Sequence, residues 1–123
     1  MNTDKHQEKA LRIERSLKKC RPEDHEIRIE GVMLAATHWV NGAYHDLGVS
    51  ADTNDILHSY MLTVNEYRRY AAANEDLIGK LAEIEDVRPL YVRGDVEGGQ
   101  KVADRAGALL DEIRAIAISV RRR

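Results

Sequence analysis

The chain has 123 residues and a formal net charge of −2 at pH 7, with 43% hydrophobic, 33% charged and 5% aromatic residues. This length and composition predict one folded domain, residues 1–123, rather than a disordered chain. The slight negative charge argues against a general nucleic-acid coat, which needs excess positive charge. Cys20 is the only cysteine, which excludes an internal disulfide and a cysteine-rich zinc site. No membrane span or signal peptide is visible, so the cytoplasm is the expected location.

Two helices are predicted in the first part of the chain. The first runs from residue 3 or 4 to about Lys19 and carries few apolar residues, so residues 1–20 could be peripheral to the core. Pro22 suits the first turn of a second helix, and the glycine after Leu47 is a natural stop. No strand is predicted, because no alternation of apolar and polar residues is sustained.

The middle of the chain is less regular. The run Asp52–Asn54 offers N-caps for a third helix. The apolar positions that follow leave open whether residues 55–86 form one helix or two. Residues 87–99 are predicted to be irregular, because they contain a proline and three glycines.

The last helix has the clearest pattern. From Val102 to Val120 its apolar residues recur at alternating four- and three-residue steps, which is typical of a helix packed in a bundle. Residues 119–123 form a basic tail, for which a solvated position is expected. Together these elements predict an all-α fold, an antiparallel up-down bundle of four to five helices.

The predicted second helix has two distinct faces. One is a broad apolar face for the core. On the opposite face lie His38, Asn41 and His45, which share one side because they are spaced by three, four and seven residues. Gly31 and Gly42 lie near them, and a glycine inside a helix costs about 1 kcal/mol relative to alanine. We therefore expect a second packed contact on this face, with another helix or a second subunit; the alternative is that both glycines are tolerated surface residues.

The candidate binding residues of the central region are His38, Asn41, His45, Asp55 and His58. His38 and His45 lie about 10.5 Å apart along a straight helix, too far to share a metal ion. His45, Asp55 and His58 could form a zinc or iron site if the linker brought them together. An aspartate at a predicted helix start more often caps that helix, so Asp55 is expected to cap its own first turn, and no metal or cofactor is expected.

Tyr91 and Arg93 are a second group of candidate binding residues. A tyrosine and an arginine in a loop can stack on a base or hold a phosphate. The alternative is that the tyrosine folds onto the core and the arginine pairs with a carboxylate.

Two segments of the chain resemble a known family. AATHWVNGAYHDLG (Ala35–Gly48), followed by DILH (Asp55–His58), is similar to the second-helix signature of small prokaryotic HEPN-like proteins, a name that abbreviates "higher eukaryotes and prokaryotes nucleotide-binding". The resemblance extends more weakly through Leu90–Gly94 and covers roughly residues 23–118. It implies an antiparallel helical bundle that is often a homodimer. Many members are RNases of toxin–antitoxin or defence systems, and others are non-catalytic partners of nucleotidyltransferases.

The chain departs from the RNase members of that family. Those members use an arginine followed, after four to six residues, by a histidine. The nearest pair here, Arg21 and His25, has three residues between. No catalytic residue is therefore carried over from the resemblance.

The sequence favours a non-catalytic HEPN-like binding or interaction module. In this reading His38, Asn41 and His45 line a polar seam, and the expected partners are a second copy of the chain, a nucleotidyltransferase-type protein, RNA or a nucleotide, with no membrane involved. The first alternative is a divergent RNase or metal-dependent hydrolase that uses His38, His45 and His58. The second alternative is a structural accessory subunit.

Overall fold

A computed structural model describes all 123 residues, and its regular structure is entirely helical. This confirms the all-α prediction. The five α-helices are α1 (Thr3–Leu17), α2 (His25–Asp46), α3 (Val64–Ala73), α4 (Glu75–Asp86) and α5 (Gly99–Arg121), with a 3₁₀ turn at Ser59–Met61 and a π-helical turn at Pro89–Arg93. None of the helices combines the length and the apolar character needed to cross a membrane.

Helix α2 is the central element of the bundle, and it packs against α1, α4 and α5. Its core face meets the apolar stripes of α4 and α5, which burial drives together. Tyr44 is fully buried there, donates to the carbonyl of Asn74 over 2.6 Å and packs edge-on against Tyr70. Helix α1 packs along α2 with His6 and Ala10 buried, so the first twenty residues are part of the bundle.

The predicted start of the third helix at Asp52–Asn54 is wrong. Helix α3 begins at Val64, where Thr63 and Glu66 form a capping box: the Thr63 hydroxyl accepts from the Glu66 backbone N–H, and the Glu66 carboxylate accepts from that of Thr63. Two reciprocal bonds satisfy two helix-end donors at once, which makes this a stronger start than a single cap. Residues 52–63 are therefore mostly irregular.

The open question over residues 55–86 is answered by Asn74. It ends α3 and starts α4, and its extended backbone separates the two helices. Its side-chain oxygen accepts from the backbone N–H of Leu77 over 3.1 Å, which caps α4. Asparagine suits this position because its short side chain reaches the free donors of the next helix.

The predicted start of α2 at Pro22 is also wrong, since α2 begins at His25 and a turn precedes it. The carboxylate of Asp24 accepts from the backbone N–H of Arg21 over 2.9 Å and closes that turn. At the other end of the chain, the basic tail is not wholly solvated. Arg121 contacts Asp4 and donates to the Gln7 side chain over 2.9 Å, which fastens the end of α5 to α1.

Candidate functional site

The second packed contact expected on α2 is present, and its partner is α1. A Cβ added to Gly31 would lie 2.5 Å from Cδ2 of Leu17, and one added to Gly42 would lie 3.3 Å from Cγ2 of Thr3. The two glycines therefore let α1 approach α2 closely. This approach carries the side chains of α1 to the face that holds His38, Asn41 and His45.

His6 is the functional candidate that sequence reasoning missed. It is only 2% exposed, and it lies on α1. A usable signal was present: His6, Ala10, Ile13 and Leu17 follow one another at steps of four, three and four residues. Such spacing places them on one face of a helix, so a histidine that heads an apolar stripe predicts a buried histidine with a polar partner.

Four side chains from three parts of the chain meet between α1 and α2. We call His6, His38, His45 and Asp55 the histidine–aspartate cluster. Nε2 of His6 lies 2.9 Å, and Nε2 of His45 lies 2.8 Å, from the same Asp55 oxygen, Oδ1. Nδ1 of His6 lies 2.9 Å from Nδ1 of His38. His38 and His45, two turns apart on α2, are thus joined through His6 and Asp55.

Asp55 is not a helix cap, contrary to the prediction from the sequence. The segment before α3 is held by Asn41 on α2, whose Oδ1 accepts from the backbone N–H of Ile56 over 2.7 Å while its Nδ2 donates to the Ile56 carbonyl over 2.8 Å. Asn41 is 2% exposed, so neither bond competes with solvent. Because Ile56 is fixed in this way, the carboxylate of the preceding residue is directed at His6 and His45.

The outer atoms of the cluster also have partners. Nδ1 of His45 lies 3.1 Å from the carbonyl oxygen and 2.9 Å from the hydroxyl of Ser50, in the loop that follows α2. The second Asp55 oxygen, Oδ2, lies 3.1 Å from the α-amino group of Met1. Both ring nitrogens of His45 therefore have polar partners, Ser50 at Nδ1 and Asp55 at Nε2, which restricts the orientation of the ring.

Burial sets the charge of the cluster. It lowers the pKa of His38 to about 4, and the nearby charges of His6 and Lys9 act in the same direction. Burial also lowers the pKa of His6, against the opposing effect of Asp55. For Asp55 burial acts to raise the pKa, but hydrogen bonds from His6, His45 and the Met1 amino group outweigh it, so the net pKa is lowered. At neutral pH the cluster thus holds a carboxylate with neutral His6 and His38.

His58 does not join the cluster, so the structure does not assemble the set His45, Asp55 and His58. Its Nδ1 lies 3.0 Å from a carboxylate oxygen of Glu85 on α4. Glu85 is 3% exposed and also accepts from the Ser59 backbone N–H, over 3.0 Å, and from the Ser59 hydroxyl. These bonds anchor the 3₁₀ turn to α4 and hold the His58 ring against Glu85.

A pocket of about 450 Å³ opens beside the cluster, between α2 and the segment that leads to the 3₁₀ turn. Six of its twelve lining residues are apolar and six are polar. It is lined by Met1, His6, Met33, Leu34, Thr37, His38, Asn41, Asp55, Ile56, Leu57, His58 and Met61. Four of the seven site residues predicted from the sequence therefore line one pocket: His38, Asn41, Asp55 and His58. A fifth, His45, lies directly behind it and contacts Asp55.

Tyr91 and Arg93 lie elsewhere. They belong to the π-helical turn, where Tyr91 is half-buried and Arg93 is exposed, and neither lines the pocket. The turn is closed by the backbone N–H of Gly94, which donates to the carbonyl of Pro89 over 3.0 Å. The structure thus separates this predicted binding group from the histidine–aspartate cluster.

Comparison of the chain with models of protein families, with curated proteins and with solved structures finds no match. What the site can do chemically therefore follows from its geometry. Side-chain atoms of His6, His45 and Asp55 that could ligate a metal ion all lie within 4.8 Å of one another. The same arrangement can also serve as a hydrogen-bonded network that presents an imidazole to a bound molecule.

Proposed function

We propose that the protein is a non-catalytic, HEPN-like binding module, and that the pocket beside the histidine–aspartate cluster is its binding site. The observation that carries this proposal is a pocket of about 450 Å³ that combines six apolar lining residues with convergent imidazoles. Small-molecule sites are typically apolar clefts of about 300–1,000 Å³ with a few placed polar groups. The ligand is a small organic molecule with an apolar body and a polar group that bonds to imidazole, a description that nucleosides and nucleotides fit.

The free nitrogens of the pocket histidines support this choice of ligand. Nδ1 of His38 is engaged by His6, and Nδ1 of His58 is engaged by Glu85. In both rings Nε2 makes no hydrogen bond within the chain, and both residues line the pocket. Each ring is held from behind and offers its other nitrogen, which is the arrangement that gives a binding site orientation and specificity.

The other large cleft is a weaker candidate. It has a volume of about 450 Å³ and lies between α1, α2 and α5, with several charged residues along it. Five of its six charged side chains are already paired within the chain: Arg114 lies 2.7 Å from Glu14 and 2.6 Å from Asp111, and Arg28 contacts Asp104. A ligand would have to displace these ion pairs, whereas the pocket beside the cluster has free nitrogens.

Titration of the labelled protein with a panel of nucleosides and nucleotides, followed by amide chemical shifts, tests the proposal. A ligand of this pocket should shift resonances of α2 and residues 55–61. Leu34→Trp puts an indole into the pocket wall and should abolish these shifts. Ile27→Trp is the matched control, because Ile27 lies two turns earlier on α2, is 65% exposed and does not line the pocket. Shifts that survive Leu34→Trp would place the ligand elsewhere.

Hydrolysis is a second candidate function, favoured by one specific observation. The His58 ring is oriented by the buried carboxylate of Glu85 and lines the pocket. A carboxylate-held imidazole is the usual arrangement of a general base. A hydrolase of this kind would lose turnover in His58→Gln while keeping ligand affinity, whereas a binding module has no turnover to lose.

RNase activity is not expected, because the arginine–histidine spacing of the RNase members is missing. We predict that the purified chain leaves a mixed RNA pool intact in the absence of metal ions. Gel analysis of the pool after incubation measures this directly. Cleavage that disappears in His38→Ala or His45→Ala would instead establish the divergent RNase.

The protein partners implied by the resemblance belong to the same proposal. We propose a homodimer, and a nucleotidyltransferase-type protein as its further partner. Size-exclusion chromatography with light scattering tests the first: the expected mass is twice the 14.0 kDa of one chain. A mass of 14.0 kDa at all accessible concentrations would show that the module acts as a monomer.

A further inference from the structure

We propose that the histidine–aspartate cluster is a binding site for a divalent transition-metal ion of the zinc class, held by Nε2 of His6, Nε2 of His45 and the carboxylate of Asp55. The site goes beyond the binding pocket proposed above and does not depend on it. It also differs from the set expected from the sequence, because His6 takes the place given there to His58.

The three ligand atoms converge on one point. Nε2 of His6 and Nε2 of His45 each lie within 2.9 Å of Oδ1 of Asp55, and the three ligand atoms all lie within 4.8 Å of one another. Ligand atoms around a tetrahedral zinc ion, with bonds of about 2.0–2.1 Å, lie roughly 3.4 Å apart. To admit the ion, the two nitrogen–oxygen pairs need to separate by about half an ångström. The two imidazole nitrogens, which lie within 4.8 Å of each other, need to come closer by no more than about 1.4 Å, and side-chain rotation can supply both movements.

The position of the proton on His45 also bears on a cation in the cluster. The Ser50 carbonyl can only accept a hydrogen bond, so Nδ1 of His45 carries a proton when it uses that partner. Nε2 of a neutral His45 then has a lone pair directed at a carboxylate oxygen 2.8 Å away. A cation between the two removes this acceptor–acceptor contact. Two arrangements without metal compete: Nδ1 accepts from the Ser50 hydroxyl while Nε2–H donates to Asp55, or both nitrogens carry protons and donate to Ser50 and Asp55.

The outer partners of both imidazoles also suit a metal site. A ligating histidine almost always donates its other N–H to a carboxylate, a backbone carbonyl or water. Nδ1 of His45 has the Ser50 carbonyl, and Nδ1 of His6 has Nδ1 of His38. The acceptor for His45 belongs to the loop after α2, and the acceptor for His6 belongs to α2 itself. Both rings are therefore oriented before any ion binds.

The choice of ion follows from the donor atoms. Two imidazole nitrogens and one carboxylate suit zinc, iron or nickel, whereas magnesium and calcium prefer oxygen ligands. Three protein ligands leave a further position open, as in catalytic rather than structural zinc sites. His6 and Asp55 also line the pocket, so that position faces it. A metal-bound water, or the polar group of a pocket ligand, would occupy it.

The test uses the full chain, expressed without an affinity tag, treated with a chelator and dialysed, and then titrated with zinc chloride by calorimetry. We expect one zinc ion per chain and a melting temperature that rises with zinc concentration. In His45→Gln and Asp55→Asn the affinity should fall by more than about 100-fold, since loss of an outer partner alone costs about 10–100-fold. Millimolar magnesium should not compete.

The matched control is His25→Gln, which removes a histidine at the start of α2 that contacts Glu26 rather than the cluster. It should bind zinc as the natural chain does. His6→Gln should bind weakly or not at all; if it fails to fold, as judged by circular dichroism, the His45→Gln and Asp55→Asn titrations decide. Absence of stoichiometric binding to the natural chain would overturn the proposal. So would undiminished binding in His45→Gln or Asp55→Asn, or loss of binding in His58→Gln alone.

Discussion

Asn41 shows how one buried side chain can position a cluster that it does not belong to. It bonds to both backbone groups of Ile56, and its Nδ2 also donates to the Thr37 carbonyl over 3.0 Å. Without these bonds the Ile56 N–H and carbonyl would be buried and unpaired, which is costly in a low-dielectric interior. The position of Asp55, and with it the histidine–aspartate cluster, therefore depends on the Asn41 amide, which holds the next residue, Ile56.

We predict that Asn41→Ala lowers the free energy of unfolding by about 2–4 kcal/mol, since it leaves two backbone groups of Ile56 without partners. Urea denaturation followed by circular dichroism measures the change. Asn54→Ala is the control: Asn54 is exposed in the same loop and its side chain makes no hydrogen bond, so it should change stability by less than about 0.5 kcal/mol. Equal effects of the two substitutions would contradict the role given to Asn41.

The lowered pKa of His38 predicts a pH-dependent stability for the metal-free chain. The folded state holds the pKa of His38 at about 4, whereas the unfolded chain has the ordinary value of 6.5. Between these values the unfolded state binds more protons, so stability falls as pH drops from 6.5 to about 4. Burial lowers the pKa of His6 and so acts in the same direction. Melting temperatures measured across this range should fall more steeply for the natural chain than for His38→Gln; parallel curves would show that His38 does not contribute.

At the scale of the helices, the sequence pattern was enough to predict an element wherever nearby residues determine its structure. The stripe on α5 and the two faces of α2 predicted helices and their packing, because periodicity reports directly which side is buried. Residues 52–63 could not be predicted in this way. The backbone there is held by Asn41 and Glu85, which are distant in the chain, and this overrides the local preference for a helix after Asp52–Asn54.

The same distinction explains what was found of the site. The shared face of His38, Asn41 and His45 follows from helix geometry, so it was predictable. The meeting of His6 with His45 depends on how α1 lies on α2, which no local pattern encodes. His6 could have been recognised as buried from its place on the stripe of α1, but its partner could not. His58 and Asp55 lie three residues apart, yet Asn41 and Glu85 hold their segment so that the two contact different partners.

The close approach of α1 to α2 predicts the effect of a larger residue at Gly42. A Cβ there would already lie 3.3 Å from Thr3 and 3.5 Å from His6, so Gly42→Leu overpacks the contact and should cost about 1–3 kcal/mol. Gly79→Ala is the opposite case, because a Cβ at Gly79 in α4 meets nothing within 4 Å. It should stabilise the protein by about 0.5–1 kcal/mol through helix propensity. Unchanged melting of Gly42→Leu would mean that α1 can move away at little cost.

At the scale of the whole molecule, Glu14 on α1 connects three helices, because it bonds to residues of both α2 and α5. Its carboxylate accepts from the Trp39 indole N–H over 2.7 Å and from Arg114 over 2.7 Å, so α1, α2 and α5 meet at one group. Glu14 is 13% exposed, which limits screening by solvent. Because α1 carries His6, this connection also holds the histidine–aspartate cluster together from the opposite end of α1.

We predict that Glu14→Ala costs about 1.5–3 kcal/mol, since it removes charge-assisted bonds, leaves the Trp39 indole N–H unpaired and leaves Arg114 with Asp111 as its one remaining partner. Glu83→Ala is the matched control, because the pair of Glu83 with Arg105 is 49% and 59% exposed, and such pairs contribute about 0–1 kcal/mol.

Trp39, the only tryptophan, lies at the Glu14 contact, so its fluorescence reports this region while circular dichroism reports all five helices. If α1 unfolds with the rest, both signals should shift together to a lower urea midpoint in Glu14→Ala. A fluorescence change at low urea that precedes the loss of helix would show instead that α1 detaches first, and zinc binding should then be lost at that same early step.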